Sequence, residues 1–205
     1  MSTRPTKVDG RRLRSERTKQ LIIEAYLALA QDLSPRVPTA AEIAEKAGYS
    51  VRSIFERFPD VRALQVAAFD YCFAQILALA PPRGADGDRM SRIEAYVRTR
   101  GQTCERWARL WRSLVVNQGD SPELKERIRL GRTRVTDRIE HMFAAEFSMM
   151  EAEQRRQTLI VVEALTDVES WGRMREFFGL SFDDACHVWT QTIDRLLPKS
   201  SGEAA

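Results

Sequence analysis

The chain has 205 residues, 43% of them hydrophobic and 30% charged, with a net charge of +3. That length suffices for one large domain or two small ones, each with its own core. No run approaches the roughly 18 uninterrupted apolar residues of a membrane helix, the basic N-terminus lacks the apolar stretch of a secretory signal, and three scattered cysteines make no disulfide framework, so a cytoplasmic protein is expected.

The charge is unevenly placed. Residues 1–20 carry seven basic side chains against Asp9 and Glu16, a surplus of five, so the other 185 residues sum to −2. Residues 1–12 read as a basic flexible arm. From Leu13 to Leu33 the positions Leu21, Ile22, Ala25, Tyr26, Leu29 and Leu33 form one amphipathic helical face, which Pro35 and Pro38 end.

Thr39–Phe58 reads TAAEIAEKAGYSVRSIFERF. Thr39 and Glu42 stand at capping-box spacing, where the hydroxyl accepts from a first-turn amide and the carboxylate reaches back to the cap amide. A short helix with Ile43, Ala44 and Ala47 on one side stops at Gly48, the residue best able to take a left-handed helix-ending conformation. Ser50 caps a second short helix in which Ile54, Phe55 and Phe58 are expected to look inward, leaving Val51, Arg52, Ser53, Glu56 and Arg57 mostly outward. Two short helices around a Gly-containing turn make a helix-turn-helix, whose second helix fits the DNA major groove.

Asp60 can cap the next helix, which carries Leu64, Ala67, Ala68, Ile76 and Leu77 and ends before Pro81-Pro82. Pro81–Asp88 is a loop. Met90–Asn117 reads as one bent helix or two, with Gly101 as the weak point. Ser121 and Pro122 supply an N-cap and a proline at the first helical position, and Leu124, Ile128, Val135, Ile139, Met142 and Phe143 follow at helical spacing. Glu151–Phe178 reads as one long helix whose block Leu159-Ile160-Val161-Val162 is too apolar to face water on any side. Gly179 ends it, and Ser181 with Asp184 caps a last helix striped by Phe182, Ala185, Trp189, Ile193 and Leu196. No strand pattern or repeat is present. The fold class is all-α, with about nine helices: a helix-turn-helix domain over 13–60, a helical domain over 61–198 and a flexible tail at 199–205.

Over Thr39–Leu64 the chain resembles the N-terminal domain of TetR-type transcriptional repressors. The capped helix, the Gly48-Tyr49-Ser50 turn, the aromatics at Phe55 and Phe58, and Asp60 with Leu64 carry the likeness. The remainder matches by length and helix content alone. Two positions depart from the family pattern: Glu56-Arg57 stands where an aromatic-basic pair is frequent, and Val61 replaces a usual Lys, with Arg62 beside it as a substitute.

The chemistry of the exposed side chains fits DNA. Arg52 offers a two-pronged donor to guanine, and Ser53 donates or accepts. Glu56 either accepts from a cytosine amino group or pairs with Arg52 four residues earlier. Arg57 and Ser50 suit phosphates, as do Arg11, Arg12, Arg14 and Arg62. Thr39 and Val51 are further candidate DNA contacts, and Tyr49 either touches a phosphate or packs the turn.

The resemblance implies a homodimer in which the last two long helices of each subunit pair. Leu159, Val162, Leu165, Trp189, Ile193 and Leu196 are the candidate interface, or else an internal core. Two recognition helices roughly 34–36 Å apart would read a palindrome. It also implies a small-molecule effector cavity among the C-terminal helices, with Phe73, Trp107, Trp111, Met142 and Trp171 as candidate lining. Glu163 and Asp167 share a helix face, suited to a cationic ligand, to solvent or to an ion pair with an Arg. Only His141 and His187 could serve as histidine ligands or bases. Asp183 lies one turn before His187, but no third ligand follows at metal spacing, and no phosphate loop or nucleophile elbow occurs. The expectation is a repressor released by an effector, with no catalytic residues, metal or cofactor. An activator, an effector-free DNA-binding protein of the same fold, and a helical enzyme or interaction module are the alternatives.

Overall fold

A computed structural model describes residues 10–79 and 86–199, except for the side chains of 11 and 77–79. Most of the Pro81–Asp88 loop, the start of the N-terminal arm and nearly all of the tail lie outside the described residues, as do the side chains of Arg11 and Leu77. Ten α-helices and no strand occur among those described. The first helix, α1, spans Gly10–Leu33, so its start takes in Arg12 and shortens the segment expected as an arm.

Helices α2 (Ala40–Ala47) and α3 (Val51–Phe55) form the helix-turn-helix, and α4 (Val61–Leu79) leads out of it. Asp60 caps α4 as expected, accepting from the Ala63 amide at 2.7 Å. Ile22, Tyr26 and Ala30 of α1 pack with Ile43, Ala44, Ile54, Phe58 and Leu64 in a first buried cluster. Phe55 is not part of it: it is 46% exposed. Ile54 and Phe58, four residues apart, take the inward positions, and one residue of rotation from Ile54 turns Phe55 out.

Helix α5 runs unbroken from Arg89 to Val116, so Gly101 is not a break. Gly101 is a point of close approach. A Cβ there would stand 2.9 Å from Trp171 Cη2 and 3.2 Å from Cys186 Sγ. Trp171 cannot yield, being held between Trp189 and Phe182 at ring-centroid distances of 4.9 and 5.4 Å. Its Nε1 also donates to Glu105 at 2.7 Å.

Ser121 caps α6 (Pro122–Met142) with Pro122 at its start, as expected, and a short α7 (Ala144–Phe147) follows that sequence periodicity did not reveal. The expected long helix over 151–178 is instead broken into α8 (Ala152–Leu165), α9 (Val168–Gly172) and a π-helical turn over Arg173–Phe177. The break is chemically specified. Thr166 donates its hydroxyl back to the Val162 carbonyl at 2.8 Å, and Arg100 Nε takes the Thr166 carbonyl at 2.9 Å. Asp167 then caps α9 by accepting from the Glu169 amide. Gly179, at φ 67°, and Ser181 close this region and start α10 (Phe182–Leu196).

The second and larger buried cluster joins α5, α6, α9 and α10 through Ile93, Tyr96, Ile139, Trp171 and Trp189, with Phe143 just beyond α6. Arg89 binds the C-terminus of α10, pairing with Asp194 and donating to the Leu197 and Pro198 carbonyls at 2.9 and 3.1 Å. Ser34 and Asn117 tie the α1–α2 turn to α5, donating to the Arg109 and Pro35 carbonyls at 2.9 and 2.6 Å.

Gly101→Val is expected to destabilise the protein by about 1–3 kcal/mol through overpacking against Trp171, despite the poor helix propensity of glycine. Urea denaturation checks it, and a loss below about 0.5 kcal/mol would show that Trp171 has room to move.

Candidate nucleic-acid interface and cavity

The helix-turn-helix is fixed by its own polar network. Glu42 Oε2 accepts from the Thr39 amide at 2.8 Å while Thr39 Oγ1 accepts from the Glu42 amide at 3.3 Å, completing the capping box. Such a cap contributes about 1 kcal/mol, and it engages Thr39, which remains exposed, in holding the motif. Arg36 adds a two-pronged pair to Glu42 at 3.0 and 2.8 Å. Together these donors hold the Glu42 carboxyl at about 2, the Arg36 bonds acting first and Thr39 next. Gly48, at φ 72°, ends α2 with the Tyr49 amide on the Ala44 carbonyl at 3.0 Å.

On α3, Ser50 Oγ accepts from the Ser53 amide at 3.1 Å and lies 3.0 Å from the Ser53 hydroxyl, so the two serines satisfy each other. Arg52 is the most projecting group, its side chain 88% exposed. Glu56 takes the pairing role, with Oε1 3.1 Å from Arg52 Nε, and Oε2 stands 3.7 Å from Arg57. Arg57 folds back, donating Nη1 to the Ser53 carbonyl at 2.8 Å, with only 23% of its side chain exposed. Tyr49 packs the turn against α1, half-buried, and accepts from the Thr18 hydroxyl at 3.4 Å. Val51 is exposed beside Arg52, and Arg12 and Arg14 are exposed at the start of α1. Arg62 reaches toward the Gly119 turn and acts on Glu123, so its charge faces the helical body.

A cavity of about 350 Å³ lies between α4, α5 and α6. Phe73, Trp107, Trp111, Glu163 and Asp167 line it; Met142 and Trp171, expected there, do not. Both of the latter belong to the large core, at 1% and 2% exposure, because their helix faces point toward α10 and Phe143 rather than toward α4. Asp167 is committed to capping α9. Glu163 is half-buried and makes no hydrogen bond or ion pair among the described residues.

Three of the wall residues that sequence reasoning missed matter most to the cavity's chemistry. Phe69 stacks on Phe73 at 5.7 Å, a spacing of four that the sequence carried. Tyr26 of α1, which lines the wall together with the buried Gln65, brings the helix-turn-helix core into it. Arg100 is a charge in the stripe Ile93-Val97-Cys104, where helical period calls for an apolar side chain, and that mismatch was the available signal. Burial pushes the nearby Cys72 thiol up to about 12 and the Tyr96 hydroxyl to about 12, so neither ionises near neutrality.

Of the six candidate interface residues, Val162, Trp189 and Ile193 are wholly buried in the chain's own core. Leu159, Leu165 and Leu196 flank that core half-buried. The apolar groups left outward on these helices are Ile160, Val161 and Val188, at 53%, 46% and 41% exposure.

No protein-family model matches the chain, and no characterised protein matches it by sequence. Solved structures do. A transcriptional regulator from Rhodococcus sp. Rha1 superposes with a TM-score of 0.72 at 14% identity, over 89% of this chain and 98% of that one. A TetR-family transcriptional regulator from Streptomyces coelicolor gives 0.68 at 16%, over 88% and 79%. The multidrug binding protein EbrR, crystallised with imidazole, gives 0.59 at 15%, over 89% and 96%. The chain therefore has the fold of TetR-family transcriptional regulators. No helix among the described residues is long and apolar enough to cross a membrane.

The Glu42 carboxyl lies below its ordinary value of 4.5 in the folded chain. Its contribution to stability is thus complete above pH ~4.5 and lost as pH falls toward about 2. Glu42→Gln is expected to flatten the acid limb of the stability profile in that window, by a small amount given its exposure. Urea melts at stepped pH read this; an unchanged acid limb would mean that the Arg36–Glu42 pair contributes nothing in solution.

Proposed function

We propose that this protein is a cytoplasmic, dimeric, sequence-specific DNA-binding regulator of transcription, a repressor that leaves a palindromic operator when a small molecule enters the cavity. The observation that carries the reading is the placement of Arg52, which projects from α3 with Glu56 as its one partner among the described residues, while Thr39, Glu42, Ser50 and Arg57 hold the motif. A guanidinium so placed can read guanine in the major groove. The basic start of α1 supplies phosphate contacts through Arg12 and Arg14. Residues 13–60 act as the reading domain and 61–198 as the regulatory one.

One short recognition helix makes few base contacts, so two copies are needed. The second copy covers the outer faces of α8 and α10, where Ile160, Val161 and Val188 stand exposed. The fold likeness to a multidrug binding protein crystallised with a small molecule supports a ligand in the cavity. Tyr26 belongs at once to the helix-turn-helix core and to the cavity wall, so a ligand touching it can bias the orientation of the reading domain. By linkage, DNA and effector then weaken each other by the same factor.

Selection of bound sequences from a random DNA pool tests the reading, and a palindrome is the expected outcome. Arg52→Ala should cost about 1–3 kcal/mol on that palindrome and little on random DNA. Equal losses on both would remove Arg52 as a base reader, and recovery of no motif would leave the helix-turn-helix as a structural element only. Reporter assays with and without the gene separate repression from activation.

Val161→Arg combined with Val188→Arg should convert a dimer to a monomer in size-exclusion chromatography with light scattering. Both sites are exposed in the chain, so folding should change by less than about 0.5 kcal/mol. A doubly substituted protein that stays dimeric would move the interface elsewhere.

A further inference from the structure

We propose that the cavity takes an amphipathic organic anion, a carboxylate carried on an aromatic or alkyl body, with Arg100 as its anchor. This rests on the reading of the cavity as the ligand site. The cavity is divided by chemistry along α5. Toward the C-terminal half of that helix the wall is Trp107, Leu110 and Trp111, faced by the stacked pair Phe69 and Phe73 from α4. Toward its N-terminal half the wall turns polar, with Tyr96, Thr99, Arg100 and Thr103 on one side.

Arg100 is half-buried there and spends one donor, Nε, on the Thr166 carbonyl. That bond fixes the plane of the guanidinium. Both terminal nitrogens make no hydrogen bond among the described residues, although the side chain lines the cavity. A carboxylate matches this paired set of donors in shape and charge. Asp167, the nearest acidic position in sequence to the Thr166 carbonyl that Arg100 holds, keeps an oxygen on the Glu169 amide and forms no ion pair with Arg100. Glu163 lies on the wall that the cavity shares with an outer groove between α6 and α8.

The test uses three probes on one skeleton, 8-phenyloctanoate, its primary amide and 8-phenyloctylammonium, titrated into the full chain by calorimetry without DNA. The carboxylate is expected to bind at least ~tenfold more tightly than the amide, and the ammonium least tightly. Arg100→Gln should erase the preference for the carboxylate over the amide, and Arg100→Lys should recover part of it. Amide binding by the variant verifies that the cavity is still formed. The proposal is overturned if the three probes bind alike, if no carboxylate binding occurs at millimolar concentration, or if the ammonium binds best and Glu163→Gln abolishes it.

Operator release is then measured separately. A carboxylate that binds through Arg100 without releasing DNA leaves the anion site standing and removes the effector reading. An ammonium that binds and releases DNA does the reverse.

Discussion

Everything in this chain is arranged around the burial of α5. Its 28 residues extend about 42 Å at 1.5 Å per residue, long enough to touch all three buried clusters. Along that length it contributes Ile93, Tyr96, Val97 and Cys104 to the large core, Leu110 to the helix-turn-helix core, and Leu114 to a third cluster with Leu124 and Ile128. A helix buried on several sides needs its neighbours at close range, and Gly101 permits this at the most crowded point. An interruption there would separate the α9–α10 region from the α1–α2 turn that Asn117 and Ser34 hold. The continuity of one helix thus joins the helix-turn-helix to the body.

The cavity lies where that rod, α4 and α6 diverge, and so it borders two cores at once. Tyr26 and Gln65 close it on the helix-turn-helix side, whereas Arg100 and Val168 close it on the side of α9. In the proposed mechanism no long relay of side chains is required. A ligand seated between the two cores changes the relative free energy of their arrangements directly, and α4, which leaves the helix-turn-helix immediately after Asp60, carries the consequence to α3.

The local rules of the sequence were highly legible at chain turns. Thr39 with Glu42, Gly48, Ser50, Asp60, Ser121 and Ser181 all act where their capping chemistry placed them, because a cap depends on residues three or four positions away. What failed was long-range. Phe55 is apolar and near a core but one position out of phase with Ile54 and Phe58. The break at Thr166 needed Arg100, 66 residues earlier, to claim its carbonyl. Val162, Trp189 and Ile193 gave an apolar stripe, yet periodicity cannot say whether a stripe meets its own chain or another. The cavity was partly legible: Phe73, Trp107, Trp111, Glu163 and Asp167 line it, Arg100 showed only as a charge in an apolar stripe, and Tyr26 needed the fold.

One consequence of the helix-turn-helix concerns its history. The side chains that hold it are buried or locked in caps, while Val51, Arg52 and Glu56 stand outside that framework. Exchanging exposed groups of this kind typically changes stability by less than about 0.5 kcal/mol. Such a scaffold can drift from one recognition surface to another without crossing an unfolded intermediate, since selection on folding scarcely sees those positions. The chain accordingly superposes over 88–89% of its length on proteins with which it shares only 14–16% identity: the shape is specified by far fewer positions than the surface displays.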